Sequence, residues 1–142
     1  MGPRLIPIIL VKDGFVVRSQ LFSIHQKIGN VVSTIQRLNS WSIDELIVLN
    51  IGSDIDQSLT REDLHIQYDA SKIEGLLSVI SQNSFMPLAY GGALRNLKDI
   101  DCCLRNGADK IVLNTAIINN ESLVRQAVRK YGAQCIIASI DA

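Results

Sequence analysis

The chain has 142 residues, of which 47% are hydrophobic, and its 14 basic side chains balance 14 acidic ones. A net charge of zero argues against the long-range field that draws proteins to nucleic acid or to acidic membrane surfaces. No uninterrupted apolar run approaches the roughly 18–20 residues of a membrane span. The length fits a single domain over residues 1–142 that can bury a core. We therefore expect neither a nucleic-acid partner nor a membrane partner.

The three cysteines, Cys102, Cys103 and Cys135, do not form the even set of a secreted disulfide framework. They also lack the C-x-x-C spacing of a metal site, so we expect small buried thiols, no metal and no cofactor. The opening residues MGPRLIPIILV could imitate a signal peptide, but they lack a small-residue cleavage site. A first strand is the better interpretation, and we expect a cytosolic protein.

The first half of the chain alternates apolar runs with helical spacing. Arg4–Val11 predicts a strand, Lys12–Gly14 a turn, and Phe15–Val17 could add a short hairpin. A polar loop is then expected, with solvated side chains at Arg18, His25 and Lys27. Later elements are a helix over Val31–Asn39, a strand over Glu45–Ile51, a loop over Gly52–Leu64 that precedes a solvated His65, and a helix from a capping box at Ser71–Glu74 to about Gln82.

The second half is organised around the stretch from Phe85 to Thr115. A strand over Met86–Tyr90 leads into Gly91 and Gly92, and a helix from about Asn96 to Asn106 stops at Gly107. The remaining predicted elements are a strand over Lys110–Leu113, a helix that starts at Asn119–Glu121 and stops at Gly132, and a strand over Gln134–Ile140.

Five strands that alternate with four helices predict an α/β fold with a parallel sheet. An open doubly wound sheet would carry a G-x-G-x-x-G motif after its first strand, and that motif is absent. A (β/α)₈ barrel needs about 200 residues or more. We therefore expect parallel (β/α) units that form about half of a (β/α)₈ TIM-type barrel, with strands 1–5 and helices 1–4.

Charged residues begin three of the predicted strands. Because side chains alternate across a strand, Arg4, Glu45 and Lys110 share a face with apolar residues further along. If these faces point into the barrel, opposite charges meet at its amino end, where they can pair. The alternatives are a surface ring that caps the barrel and charges that simply flank buried strands.

Polar residues and glycines follow the strands at the other, carboxyl end. Gly91, Gly92, Asn114 and Thr115 lie where backbone N–H groups can hold an anion, and Asp141 lies where barrel enzymes place catalytic groups. A carboxylate there can transfer protons or orient a hydroxyl. The alternatives are a capping or turn aspartate and a polar turn at the strand end. No Ser/His/Asp or Cys/His nucleophile arrangement is present.

Five segments together resemble the cyclase subunit of imidazole glycerol phosphate synthase, an enzyme of histidine biosynthesis. They are RLIPIILVKDGFVV, IDELIVLNI, MPLAYGGAL, GADKIVLNTA and SIDA, in the family's order and at similar separations. The resemblance spans nearly the whole chain but only the first half of that family's barrel. It implies a lyase that receives ammonia from a class I glutamine amidotransferase, channels it through the barrel and cyclises a phosphorylated nucleotide substrate.

The resemblance assigns roles to several residues of this sequence. It implies an ammonia gate at Arg4, Glu45 and Lys110, and a catalytic aspartate at Asp141. It places phosphate binding at Ala93, Asn114 and Thr115, beside Gly91 and Gly92; Ala93 replaces a glycine of the family. Arg18 stands where the family has a mobile-loop lysine, and Asn50 stands where it usually has a substrate-site aspartate.

The main departure lies in the first strand, where the family's other catalytic aspartate falls on Leu10. An isobutyl group cannot transfer protons, and losing a general acid or base typically costs ~10²–10⁴-fold in rate. The leading hypothesis is therefore a divergent paralogue that supplies ammonia for amidation of a surface-polysaccharide (lipopolysaccharide) sugar. The alternatives are a histidine-pathway cyclase and a non-catalytic half-barrel that forms a homo-oligomer through its open sheet edges.

Overall fold

The computed structural model describes residues 2–20, 24–52, 68–69 and 72–141. The strands in these residues are β1 (Ile8–Lys12), β2 (Phe15–Gln20), β3 (Ile24–Asn30), β4 (Leu46–Asn50), β5 (Leu88–Gly91), β6 (Lys110–Leu113) and β7 (Ile136–Ala138). The helices are α1 (Val31–Asn39), α2 (Ile73–Asn83), α3 (Leu97–Arg105), α4 (Thr115–Asn119) and α5 (Glu121–Tyr131), and a 3₁₀ turn spans Ala133–Cys135.

All the strands belong to one sheet in the order β3-β2-β1-β4-β5-β6-β7. β1, β4, β5, β6 and β7 are parallel to one another, as strands joined by helical crossovers must be. β2 and β3 form an antiparallel hairpin against β1. The sheet does not close on itself: β3 and β7 are its edges. The expected fold class is confirmed, with parallel (β/α) units that are consistent with part of a TIM-type barrel.

The helices cover one face of the sheet and bury alternate residues of each strand. Ile9 and Val11 of β1 are at most 8% exposed and pack with helix residues such as Ile35 and Leu76, which are fully buried. The opposite face is uneven, because Ala89 is fully buried while Ile8 is 59% exposed. The core therefore lies between sheet and helices, and the other face is partly open.

Two aspartates fasten the amino ends of neighbouring strands in the same way. The Asp44 carboxylate accepts a hydrogen bond from the Leu5 backbone N–H at 2.6 Å, while the Asp44 N–H donates to the Leu5 carbonyl. Asp109 makes the same pair of bonds with Leu88, at 2.8 Å from its carboxylate. Each clamp fixes the residue that follows the aspartate, which is Glu45 in one case and Lys110 in the other.

The predicted helix boundaries hold well where side chains cap the helix. Asn96 and Asp99 form a capping box at the start of α3, and Gly107 follows its end at a φ of 111°. The capping box expected at Ser71–Glu74 is different: Ser71 lies outside the described residues. Lys72 is the N-cap of α2 and makes no side-chain cap hydrogen bond.

The polar loop expected around Arg18, His25 and Lys27 is wrong. These residues lie in β2 and β3, where the hairpin continues to the pairing of Gln20 with Ile24. Polar side chains are tolerated there because the hairpin is exposed on alternate residues. The Lys27 ammonium lies 4.5 Å from the centre of the Phe15 ring, so a charged side chain covers an apolar one.

Other strand limits also differ from the sequence prediction. β1 begins at Ile8 rather than Arg4, because Pro7 has no N–H to donate, although the Leu5 and Pro7 carbonyls still accept bonds from Asp44 and Ile47. Residues 133–135 form the 3₁₀ turn, which shortens the last strand. α4 was not predicted. His65 and residues 53–64 of the predicted loop lie outside the described residues.

Candidate functional site

The three charged residues at the amino end form one ion cluster. Glu45 is 3% exposed and lies between two cations. Its Oε2 is 2.9 Å from Nη2 of Arg4, and its Oε1 is 2.9 Å from Nζ of Lys110. The two cations keep solvent contact, with 58% and 35% of their side chains exposed. The cluster therefore satisfies a buried carboxylate with one hydrogen bond to each oxygen.

The strand register explains how residues of non-adjacent strands meet. Glu45 precedes β4 and Lys110 begins β6, with β5 between them. Ala89 of β5 pairs with Ile47 on one side and with Lys110 on the other. Its small methyl group leaves room for the lysine side chain to cross β5. The alternating face inferred from the sequence thus brings the opposite charges together.

A cavity of about 610 Å³ lies at the carboxyl ends of β4 to β7. Its walls combine apolar side chains with backbone and amide groups, as small-molecule sites usually do. Gly92, Ala93, Asn114, Thr115 and Asn50, all expected site residues, line it. The other lining residues are Leu49, Ile51, Leu94, Arg95, Val112, Leu113, Ala116, Asn119, Asn120, Leu123 and Ser139.

The backbone at the rim of this cavity is strained at two neighbouring positions. Gly92 has a φ of 101°, and a Cβ atom there would lie 1.8 Å from the Asn50 carbonyl oxygen. Ala93 has a φ of 55° although it carries a side chain. Gly91 ends β5, where an added Cβ would lie 2.7 Å from Cβ of Val112. Small residues are therefore required for the close approach of these strand ends.

Asn114 and Asp141 meet at the same end. Nδ2 of Asn114 donates to Oδ2 of Asp141 at 2.9 Å, and the Asp141 carboxylate is exposed to solvent. Thr115 begins the short helix α4, which lines the cavity through Ala116 and Asn119. The pair therefore places a carboxylate next to a cavity wall, where it can accept a proton or orient a hydroxyl.

Asn50 lines the cavity while its side chain makes bonds within the protein. Its Nδ2 donates to the Tyr90 hydroxyl at 3.2 Å, and its Oδ1 accepts from the Gly52 N–H at 3.2 Å. Tyr90 is fully buried, and this burial raises the pKa of its hydroxyl to about 12. Asn50 thus fixes the turn after β4 and satisfies a buried hydroxyl.

Two expected site residues lie away from the cavity lining. Leu10 is half-buried on β1, opposite Leu49 of β4 in the register, so an apolar pair occupies this part of the sheet. Arg18 is exposed on β2 and pairs with Gln26 across the hairpin.

Sequence reasoning missed Arg95, which lies two residues after Ala93 at the entrance to α3. It is the one charged residue among those that line the cavity. The loop between a barrel strand and its helix is where functional residues concentrate, and that rule was the available signal.

In the described part of the chain, no group of three or more His, Cys, Asp or Glu side chains could hold a metal ion. None of the described helices is long and apolar enough to cross a membrane.

Comparison with known proteins gives a consistent result. The family model described as histidine biosynthesis protein matches residues 4–142. A Campylobacter jejuni protein provisionally named imidazole glycerol phosphate synthase subunit hisF2 is 37% identical over 97% of this chain and 50% of its own length. The imidazole glycerol phosphate synthase subunit HisF of Staphylococcus epidermidis is 38% identical over 97% of this chain and 50% of its own length.

A Vibrio vulnificus protein, also provisionally named a hisF2 subunit, is 35% identical over 98% of this chain and 47% of its own length. The chain spans about half the length of the curated relatives it matches.

Proposed function

The chain belongs to the histidine biosynthesis protein family, and from this premise we propose that it is a cyclase-like subunit that receives ammonia from a glutaminase. The proposal is that of a divergent paralogue, which delivers ammonia for amidation of a surface-polysaccharide sugar. The hisF2 names of two relatives support a paralogous branch. The observation that carries the proposal is the contrast between a complete Arg4–Glu45–Lys110 cluster and a leucine at position 10.

The ion cluster supports the role of an ammonia gate. Glu45 is held by one cation from the segment before β1 and one from β6, so the cluster spans the amino ends of four neighbouring strands. Its cations are 58% and 35% exposed, so either can leave Glu45 for water without being stranded in the core. A small neutral molecule could then pass to the open face of the sheet.

Exposed aromatic side chains support docking of a partner at this end. Trp41, in the loop before β4, is 60% exposed, and Phe85, in the loop before β5, is 89% exposed. The Asn39 side chain joins these loops, since it donates to the Asn83 carbonyl at 2.7 Å and accepts from the Phe85 N–H at 3.2 Å. Aromatic residues that a partner can bury are the usual anchors of an interface.

The carboxyl end supports a binding site with reduced acid–base chemistry. Asp141 supplies one carboxylate, whereas the Leu10 position lies among apolar neighbours. A reaction that needs two carboxylates would lose about 10²–10⁴-fold in rate with one of them replaced. A phosphorylated ligand can still bind through the cavity's amide and backbone groups.

A chimera tests both ends of the molecule at once. Residues 1–142 would replace the matching half of the Staphylococcus epidermidis HisF subunit, with Leu10 and, in a matched variant, with Leu10→Asp. We expect both chimeras to stimulate glutamine hydrolysis by a glutaminase subunit of imidazole glycerol phosphate synthase equally. With ammonium chloride and the nucleotide substrate, only Leu10→Asp should give product above the background.

The same experiment addresses the alternative of a histidine-pathway cyclase, which the 38% identity to a HisF subunit favours. Cyclase turnover by the Leu10 chimera at the rate of the unmodified Staphylococcus subunit would establish that alternative. Failure of both chimeras to stimulate the glutaminase would remove the ammonia-transfer role.

A further inference from the structure

The cavity at the carboxyl ends has a single charged lining residue, Arg95. The remaining walls are aliphatic side chains, amides, hydroxyls and backbone. Nothing in the described residues pairs with the Arg95 guanidinium, whereas Arg4, Arg105 and Arg125 each pair with a carboxylate. An exposed arginine at a cavity wall without an acidic partner is free to take an anionic ligand.

The backbone of Arg95 is fixed independently of its side chain. The Arg95 N–H donates to Oδ2 of Asp99 at 2.8 Å, and the Asn96 N–H donates to the same oxygen at 3.3 Å. Asp99 in turn belongs to the capping box of α3. The guanidinium is therefore carried by a firmly held stem at the cavity wall, and its replacement removes charge without removing these bonds.

We propose that Arg95 determines the preference of this cavity for a phosphate monoester, by pairing its guanidinium with the phosphate oxygens. The inference rests on the carboxyl-end cavity being the ligand site, as in the proposed function. A phosphate fits better than a carboxylate or a neutral sugar for two reasons. The guanidinium fork matches two phosphate oxygens, and the neighbouring Asn114 and Thr115 are neutral donors that complement the remaining oxygens.

The acidic group nearby does not oppose this pairing. Asp141 is outside the cavity lining, and its Oδ2 accepts from Nδ2 of Asn114. The amide therefore lies between that carboxylate and the cavity. A dianionic phosphate then meets one cation and neutral groups, which gives a favourable local field.

The test is a titration of the 142-residue chain with ribose 5-phosphate and, separately, with neutral ribose, followed through the amide resonances of Gly91 and Gly92. The variants are Arg95→Gln, Arg95→Lys and, as a matched control, Arg129→Gln in the last turn of α5, outside the cavity lining. Thermal unfolding of each variant verifies that the fold is retained. The readout needs neither a glutaminase nor turnover, so its failure is distinct from failure of ammonia transfer.

We expect the dissociation constant for ribose 5-phosphate to rise about tenfold or more in Arg95→Gln, in line with loss of a charged hydrogen-bond partner. Arg129→Gln should bind like the unmodified chain, and Arg95→Lys should fall between the two. Equal affinities of the Arg95→Gln and Arg129→Gln variants would overturn the assignment. An unmodified chain that binds ribose 5-phosphate no more tightly than ribose would overturn it as well.

Discussion

The two ends of the parallel strands are built on different principles. The amino end is held by side chains: a buried glutamate between two cations, and an aspartate clamp beside each of two strands. The carboxyl end is shaped by its backbone, with positive φ angles at Gly92 and Ala93 and a cavity between the strand ends. Removal of a charge should therefore be costly at one end, whereas addition of a methyl group should be costly at the other.

The largest effect is expected for Gly92→Ala at the carboxyl end. A positive φ and a clash with the Asn50 carbonyl act together there, so the free energy of unfolding should fall by about 3 kcal/mol. Gly52→Ala is the matched control, because Gly52 has a φ of 117° with nothing within 4 Å of an added Cβ. That variant should lose only about 1–2 kcal/mol in urea unfolding. Equal losses would show that the close approach of the strands is not restrictive.

The next effect is expected at the amino end, for Glu45→Gln. Loss of the carboxylate weakens two ion pairs at once and leaves a buried amide between two cations. Because those cations are partly hydrated, we expect a loss of about 2–3 kcal/mol in urea unfolding, at the lower end for a broken buried pair. Glu121→Gln removes an exposed partner of Arg125 within α5 and should cost at most about 0.5 kcal/mol. Similar values for the two variants would contradict the comparison drawn above.

A smaller effect of opposite sign is expected for Ala93→Gly. The left-handed φ of 55° is strained for alanine and relaxed for glycine. After allowance for the greater freedom of glycine in the unfolded chain, the variant should gain about 0.5–1 kcal/mol. Ala127→Gly, within helix α5, should lose about 1 kcal/mol and serves as the control. A loss of stability at both positions would mean that Ala93 is unstrained.

The smallest effect is expected away from both ends, at Asp101 on the outer surface. The Tyr131 hydroxyl, and then Lys130, donate to this carboxylate and lower its pKa from the ordinary 3.8. Because the folded-state pKa is the lower one, its contribution to stability is complete above pH 3.8 and is lost as the pH falls below that value. Asp101→Asn should therefore be slightly less stable at pH 6 and equal to the unmodified chain near pH 2.

A matched variant assigns that pH dependence to its cause. Tyr131→Phe removes the hydroxyl that lowers the pKa most and keeps the ring, so it should reproduce part of the Asp101→Asn effect. Urea midpoints measured between pH 2 and pH 6 provide the comparison. An unchanged pH profile in both variants would show that the contacts of Asp101 do not contribute to stability.

Alternation along strands predicted the amino end well, because side-chain direction in a strand follows from the backbone alone. Arg4, Glu45 and Lys110 were identified in this way, and the structure brings them into contact. Their role as a gate remains a proposal. The method failed for β2 and β3, since an exposed hairpin lacks the apolar run that marks a buried strand.

The cavity depended on relations that periodicity does not contain. Arg95 was missed because a loop residue carries no repeating pattern, and its position follows from the capping box of α3. Asn50 was identified as a ligand group, and its bonds to Tyr90 and Gly52 became visible only once neighbouring strands were placed side by side. Such contacts join distant parts of the chain, so local sequence does not determine them.

The hairpin described above has a consequence for how copies of the chain could assemble. β2 pairs only with Leu10–Lys12 of β1, so among the described residues the earlier part of β1 keeps an open edge, as does β7 on the other side. A ring of eight parallel strands would need three more beside the five described here. A symmetric pair of these sheets would bring ten. Any ring formed by two complete copies would thus be wider than a TIM barrel, because barrel diameter grows with strand number.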